Sequence, residues 1–562
     1  MKKTAMFALA FVFLLGTTGV IAKNNGDGKN FHKPLQVNKE KVKHFAKKPI
    51  SNSDRKRGDL LEEMIIKEKP ANVKPAPTDP TSGGVTGNLG DQMEPGEGKK
   101  YAIVIGLANY PGTSIVESDE ILPDLCVSPI AENDASVYEG TNEVKANCKD
   151  GDSVNMEKTL IEKYGFAPSN VFRLSDSEAT FSAIEEKIMY LVGGIDSKEF
   201  NHTGILKPED ELVFFFSGHG ALSEDDSIDG DIDENDDGGI VVYDEEYSDD
   251  SYMSTDPAST YAADYNKNGY SDSAYIWDGQ LRAWFANAAT DRIFFAFDTC
   301  RAEEMDDLVW TDIYRTTKEP DRVLAFSSGK EESSYTYYLG GANNSGNIHD
   351  SEGLFSHYFV LRAMYDGYAD GFNPINKRSK DPLKYDGKVA VEEAFSYAYP
   401  LVREASSNNQ TPHLDDLFTN DLLLGTPPEL VKTVYVYANN SEETAPYTLK
   451  SGVKYLLEAS KVAAADETNT IRFDAKYSTN TTTGLWTDLV DQSYADATIY
   501  PTLLELFMND ASVDWGEYND EHKYRKEVTG SDSLLPSVNF KINDTDYSDN
   551  SEELLVKIYQ LD

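Results

Sequence analysis

Between positions 99 and 425 the apolar residues fall into two alternating textures. Short runs at 101–106, 171–174, 211–217, 292–297 and 322–327 are rich in β-branched and aromatic residues and too short for packed helices. They predict strands buried on both faces. Between them, apolar residues recur at helical spacing over 152–164, 181–192, 277–289, 354–364 and 390–405. The first of these stops at Gly165, a normal helix terminator. Strand and helix in alternation predict an α/β domain whose mostly parallel sheet is covered by helices on both faces. After residue 428 the texture changes to short strands, 434–437, 454–458, 471–474 and 554–558, separated by turn residues. That pattern predicts an all-β sandwich over 429–562.

Two of the buried runs stop at a reactive side chain. The 211–217 run leads into Ser217-Gly-His-Gly220, and the 292–297 run into Asp298-Thr-Cys300. Ligands of open α/β sheets bind beyond the carboxyl ends of strands. Neighbouring strands with these endings would bring the His219 imidazole beside the Cys300 thiol. A thiol attacks carbonyl carbon as thiolate, which a nearby imidazole favours. His219 would protonate the leaving amine. The backbone N–H groups of Gly220 and Cys300 are the candidate donors to the developing oxyanion.

The two blocks resemble the His-Gly and Asp-x-Cys blocks of the caspase-like clan of cysteine peptidases, which includes caspases, metacaspases, legumains and clostripain-like enzymes. Lys100-Tyr-Ala-Ile-Val-Ile-Gly-Leu-Ala-Asn-Tyr110 resembles the first strand of the metacaspase side. The resemblance covers about 99–425 and implies a caspase-like fold with Cys300 as nucleophile. It also implies a pocket that reads Lys or Arg before the cleaved bond through two acids. One is Asp298, two positions before the cysteine, for which a purely structural role in the turn is the competing reading. The other matches Asp152 best, with Asp134 as rival. Ser327 and Ser328 stand where the family lines its pocket wall. Arg301-Ala-Glu-Glu-Met305 departs from the metacaspase pattern toward legumains, so Asn preference stays open, as does transpeptidation at the same site. No pair of arginines suited to reading Asp is evident. A non-catalytic scaffold that binds carbohydrate or protein is the alternative from another class.

The chain has 562 residues and a net charge of −45, which excludes nucleic acid as a natural partner. Residues 1–22 carry Lys2-Lys3, an apolar core and a small-residue Val20-Ile-Ala22 end, the pattern of a signal peptide for secretion or delivery to the cell envelope or periplasm. No later run suits a transmembrane anchor. Residues 23–98 are basic and Pro-rich, with an amphipathic stretch at 59–69 and an extended linker beyond it. They read as a pro-segment that docks on the acidic domain and covers its site, making the chain a zymogen; a spacer is the other reading. Of three cysteines, Cys126 and Cys148 are candidates for a disulfide, which would leave Cys300 free.

An acidic insert follows His219. Asp233, Asn235 and Asp237, then Gly238, Ile240 and Asp244, match an EF-hand-type loop, and Asp264, Asn266 and Asn268 repeat its first half. Calcium is therefore the expected cofactor, with no organic cofactor. The end of the chain, including Asp549 and Asn550, resembles the closing strands of calcium-dependent, galactose-binding bacterial lectin sandwiches. That resemblance implies a third metal position and glycan partners. The expected function is a calcium-assisted cysteine endopeptidase acting on polypeptides that are basic at the cleaved position.

Overall fold

A computed structural model describes residues 42–45, 47–50, 52–68, 85–87, 95–110, 150–193, 204–223, 237–244, 274–286, 288–308, 322–337, 352–372, 387–418, 421–465, 471–480, 486–488, 504–516, 522–543, 547–548 and 550–561. Ahead of the α/β domain come β1 (Val42–Phe45), β2 (Lys48–Pro49), helix α1 (Asn52–Glu68) and β3 (Val85–Gly87). The domain itself opens with β4 (Lys100–Gly106), α2 (Asp152–Tyr164), β5 (Val171–Ser175), α3 (Phe181–Val192) and β6 (Glu211–Ser217). Then follow β7 (Gly220–Ser223), β8 (Asp237–Val241), β9 (Tyr275–Trp277), α4 (Asp278–Phe285) and β10 (Ile293–Asp298). After β11 (Arg322–Phe326) and β12 (Tyr335–Thr336), α5 begins as Leu354–Ser356 and continues as a π-helix, His357–Tyr365. Helix α6 (Val391–Ala405), β13 (His413–Asp416) and β14 (Glu429–Tyr437) complete the set used below.

The central sheet has the order β3-β13-β11-β10-β6-β4-β5. All its pairings are parallel except β11 with β13. Alternate residues of β6 feed opposite faces, as strand periodicity requires. Phe214 and Phe216 join Ile184, Ile188, Trp284 and Phe285 of α3 and α4 in one core. Val213 and Phe215 join Met156 and Leu160 of α2, Phe359 of α5 and Phe395 of α6 in the other. This is the mixed α/β architecture that the sequence pattern predicts.

Three features depart from the expected pattern. The helix expected over 277–289 is confined to Asp278–Phe285, because Tyr275–Trp277 is taken up as β9 beside β8. A small antiparallel sheet, β1-β7-β8-β9, grows from the residue after His219. The linker expected to be extended contributes β3 to the edge of the central sheet, against β13. Helix α1 docks through both signs of charge: Arg57 pairs with Glu404 of α6 and donates to its carbonyl, and two acids hold the other contacts. Glu62 accepts from Arg362 at 2.9 Å and from the Tyr397 hydroxyl at 2.8 Å, and Asp59 accepts from the Tyr337 hydroxyl.

Beyond β14 the chain is β-rich with its own core, built on Val434, Val436, Tyr455, Trp515, Phe540 and Val556. A four-stranded antiparallel sheet runs from β14 through Glu553–Gln560 and Lys454–Ser460 to Tyr524–Thr529. Among the described residues no helix is long and apolar enough to cross a membrane.

Candidate active site

Strands β6 and β10 pair in parallel with Ser217 opposite Asp298. Each chain then runs two residues further to its reactive side chain, so His219 and Cys300 emerge at equivalent places at one end of the sheet. Both lie in the interior: His219 has no exposed surface and Cys300 is 2% exposed. The His219 ring stacks on Tyr110 at 4.6 Å between centroids, and the His219 N–H donates to the Tyr110 hydroxyl at 2.8 Å. Tyr110 follows β4 and holds the backbone of the imidazole-bearing turn. The Cys300 sulfur accepts from the Ser334 N–H at 3.2 Å and lies 3.8 Å from the Ser334 carbonyl. Ser334 immediately precedes β12.

Gly220 opens β7 directly against this turn. A Cβ there would fall 2.4 Å from the Cys300 carbonyl oxygen, which no real side chain tolerates. The bare glycine is what lets the two backbones approach. Ser327 and Ser328 serve the same turn: both hydroxyls donate to the Thr299 carbonyl at 2.9 Å, and each accepts an N–H, from Thr299 and Ala302 respectively. The Ser327 and Ser334 hydroxyl oxygens lie 3.4 Å apart.

Next to the thiol is a buried acidic pocket. The Ser356 N–H and hydroxyl donate to Oδ2 of Asp298 at 2.9 and 2.7 Å, and the Ser334 hydroxyl donates to Oδ1 at 2.9 Å. Asp152, at the start of α2, accepts from the Gly353 N–H at 2.9 Å and from the Ser217 hydroxyl at 2.5 Å. The two acids expected from sequence thus come together from separate elements. Asp134 lies outside the described residues, as do Cys126 and Cys148. Gly353 forms part of the pocket's wall, since a Cβ there would lie 2.0 Å from Oδ2 of Asp298.

The pocket is filled from within the chain. Nζ of Lys47 lies 2.9 Å from Oδ1 of Asp298 and donates to the Ser217 hydroxyl at 2.9 Å. Burial pushes the Asp152 carboxyl well above the usual carboxylate range, and the Asp298 and Asp150 charges add to that, while the Lys47 charge opposes it. Two carboxyls facing one ammonium form a site selective for cations, because Coulomb attraction strengthens as water is excluded. The Lys47 N–H donates to Nδ1 of His219 at 3.2 Å, and the Arg301 guanidinium stacks over the Phe45 ring at 4.3 Å.

Sequence reasoning missed Lys47, Tyr110, Ser217, Ser334, Gly353 and Ser356. Tyr110 and Ser217 stood inside the stretches already singled out by their strand pattern. Ser356 stood in the helix expected over 354–364 and Lys47 in the basic segment, while Ser334 and Gly353 come from stretches with no signal beyond small or polar residues.

The metal expectations fare differently. Asp233, Asn235, Asp264, Asn266, Asn268 and Asp549 lie outside the described residues. Asp237 and Asp244 are buried, and residues 237–241 between them run straight as β8, hydrogen-bonded to β7 and β9. Asn550 donates its amide to the Ala438 carbonyl at 2.9 Å. Among the described residues no group of three or more His, Cys, Asp or Glu could hold a metal. No family model matches the chain, and no curated protein matches it.

Proposed function

We propose that this chain is a cysteine endopeptidase of caspase-like type that cuts after Lys or Arg and is made in a latent form. One observation carries the reading: a lysine side chain is held by a buried aspartate, Asp298, in a pocket directly beside a thiol and an imidazole. A buried ammonium is costly unless it is paired and hydrogen-bonded. A pocket that meets both conditions for Lys47 meets them for a substrate's Lys or Arg as well. The same pocket disfavours Asn, which would leave the Asp298 carboxylate without a counter-charge.

In the proposed reaction the Cys300 thiolate attacks the carbonyl carbon of the pocket-bound residue. His219, with its ring set by Tyr110, gives its proton to the nitrogen of the departing residue as the C–N bond breaks. Water, or an amine in transpeptidation, then resolves the thioester. Backbone N–H groups at Gly220 and Cys300 remain the candidates for stabilising the oxyanion. No step is assigned to calcium, and activity with and without a chelator tests that requirement separately. Glycan binding by the β-rich C-terminal part is likewise tested apart, by direct titration with galactosides.

The test of the main reading is hydrolysis of peptide substrates by the full chain carrying Lys47→Met, which empties the pocket of its charge. Turnover after Lys and Arg, little after Asn or Asp, and none with Cys300→Ala are expected. Turnover after Asn alone would favour the legumain-like alternative. No turnover, together with no alkylation of Cys300 by a lysyl or arginyl chloromethyl ketone, would leave only a scaffold.

A further inference from the structure

The segment that fills the pocket enters by one side of the cleft and leaves by the other. Before Lys47, β1 pairs antiparallel with β7, the strand that departs from His219, with Phe45 opposite Gly220. After Lys47, β2 pairs with β12 on the side of Cys300, Lys48 opposite Tyr335 and Pro49 opposite Thr336. The Ile50 N–H then donates to the Thr336 carbonyl at 3.2 Å, and Ile50 is buried in the core beneath α5 and α6. The chain is clamped at both ends, with Lys47 between.

The direction of travel matters to the chemistry. When a thiol cleaves the bond after a pocket-bound residue, the nitrogen that leaves belongs to the following residue. That nitrogen must face the imidazole to take up its proton. Here the nitrogen facing His219 is that of Lys47 itself, 3.2 Å from Nδ1. The following residue, Lys48, has already turned onto β12. The half of the chain on the imidazole side is therefore the half before Lys47, the opposite of what cleavage requires.

Resting on the peptidase reading, we propose that residues 42–50 form a reversed plug: Lys47 satisfies the specificity pocket while its chain runs backwards, so the bond after it is not cut. The plug inhibits the enzyme without serving as its substrate. Attack at the Lys47 carbonyl would have to expel the Lys48 nitrogen while the His219 ring faces the Lys47 nitrogen instead, and the amide would re-form. Substrates occupy the same pocket with opposite polarity, so the residues before their cleaved bond pair antiparallel with β12. Activation comes from release of the plug, and not from self-cleavage at Lys47.

The experiment uses the full chain as wild type, Lys47→Met, Lys47→Arg and Cys300→Ala, each checked for folding by thermal unfolding, with Lys47→Gln standing in if Lys47→Met does not fold. Hydrolysis of a lysyl coumarylamide peptide is followed together with intact-mass analysis of the chain. Turnover at least tenfold faster in Lys47→Met than in wild type is expected, with Lys47→Arg latent. The Lys47–Lys48 bond should stay whole in wild type throughout the incubation. A free synthetic peptide of residues 42–50, able to bind either way round, should be cut after lysine by Lys47→Met. Cys300-dependent cleavage of Lys47–Lys48 in wild type would overturn the reversed polarity while leaving the peptidase reading standing. Equal turnover in wild type and Lys47→Met would overturn the plug. Absence of turnover in every folded variant would remove the peptidase reading and the plug with it.

Discussion

Nζ of Lys47 and Oδ1 of Asp298 lie 2.9 Å apart, and neither side chain has any exposed surface. They are separated by 251 positions in the chain, one in the segment ahead of the α/β domain and the other at the tip of its central strand. An ion pair this deep is weak evidence of stability in itself, since desolvation offsets most of the attraction. Its removal on one side only is what costs.

Asp298→Asn, made in the Lys47→Met chain, should therefore lose activity toward Lys and Arg substrates selectively. Losing one partner of a desolvated charge pair costs about 2–5 kcal/mol, or about thirtyfold or more in kcat/KM. Steady-state kinetics on Lys, Arg and Gln peptides checks it. An equal loss on all three would mean that Asp298 only fixes the turn.

Gly353→Ala tests the pocket wall. Its Cβ would intrude to 2.0 Å from Oδ2 of Asp298 and 2.9 Å from Nζ of Lys47. The same Asp298 oxygen is fixed by Ser356, so it has nowhere to retreat. Made in the Lys47→Met chain, Gly353→Ala should raise KM for cationic substrates at least tenfold, while thermal unfolding of the folded variant stays cooperative.

Tyr110→Phe should keep the ring stacked on His219 and lose the hydroxyl that accepts the His219 N–H. One such bond is worth about 1 kcal/mol, so kcat should fall about fivefold with KM little changed. A rise in KM alone would place Tyr110 in binding and not in holding the imidazole.

Glu62→Ala should loosen the plug from a distance. It removes a buried carboxylate and leaves Arg362 and the Tyr397 hydroxyl without it. Arg362 keeps Asp366, so the loss costs about 1–3 kcal/mol, felt first by the docking of α1, which begins two residues after Ile50. Basal hydrolysis by the full chain should rise toward that of Lys47→Met, and hydrogen exchange in α1 should quicken.

The stability of the α/β domain should fall as pH rises toward neutrality. Burial pushes the Asp416 carboxyl up to about 7, and the Asp421 charge adds to it. Because the folded value lies above the unfolded one of about 4, the native state holds the proton more tightly. The stabilisation is complete below about pH 4 and is lost as pH rises through about 7. Asp416→Asn should flatten the pH dependence of the unfolding midpoint across that window.

What the sequence determined by itself follows from local periodicity. The 211–217 and 292–297 runs are apolar on both faces, so they had to be central strands, and α2 and α3 fall on the residues their spacing predicts, Asp152–Tyr164 and Phe181–Val192. His219 and Cys300 were legible because each sits just past such a strand. Asp298 was legible through its place in the same turn. Asp152 was expected only through the family resemblance, with Asp134 as rival; the tertiary structure brings it to Ser217 and Gly353 beside Asp298, because a carboxylate at a helix start carries no local sign of what it will face. Lys47 was hidden for the same reason: in a basic segment every lysine looks alike until the fold chooses one. The direction in which that lysine's chain crosses the cleft follows from pairings with β7 and β12, elements more than 170 and 280 residues away. Strand polarity is set by such long-range hydrogen bonding, and side-chain pattern is blind to it.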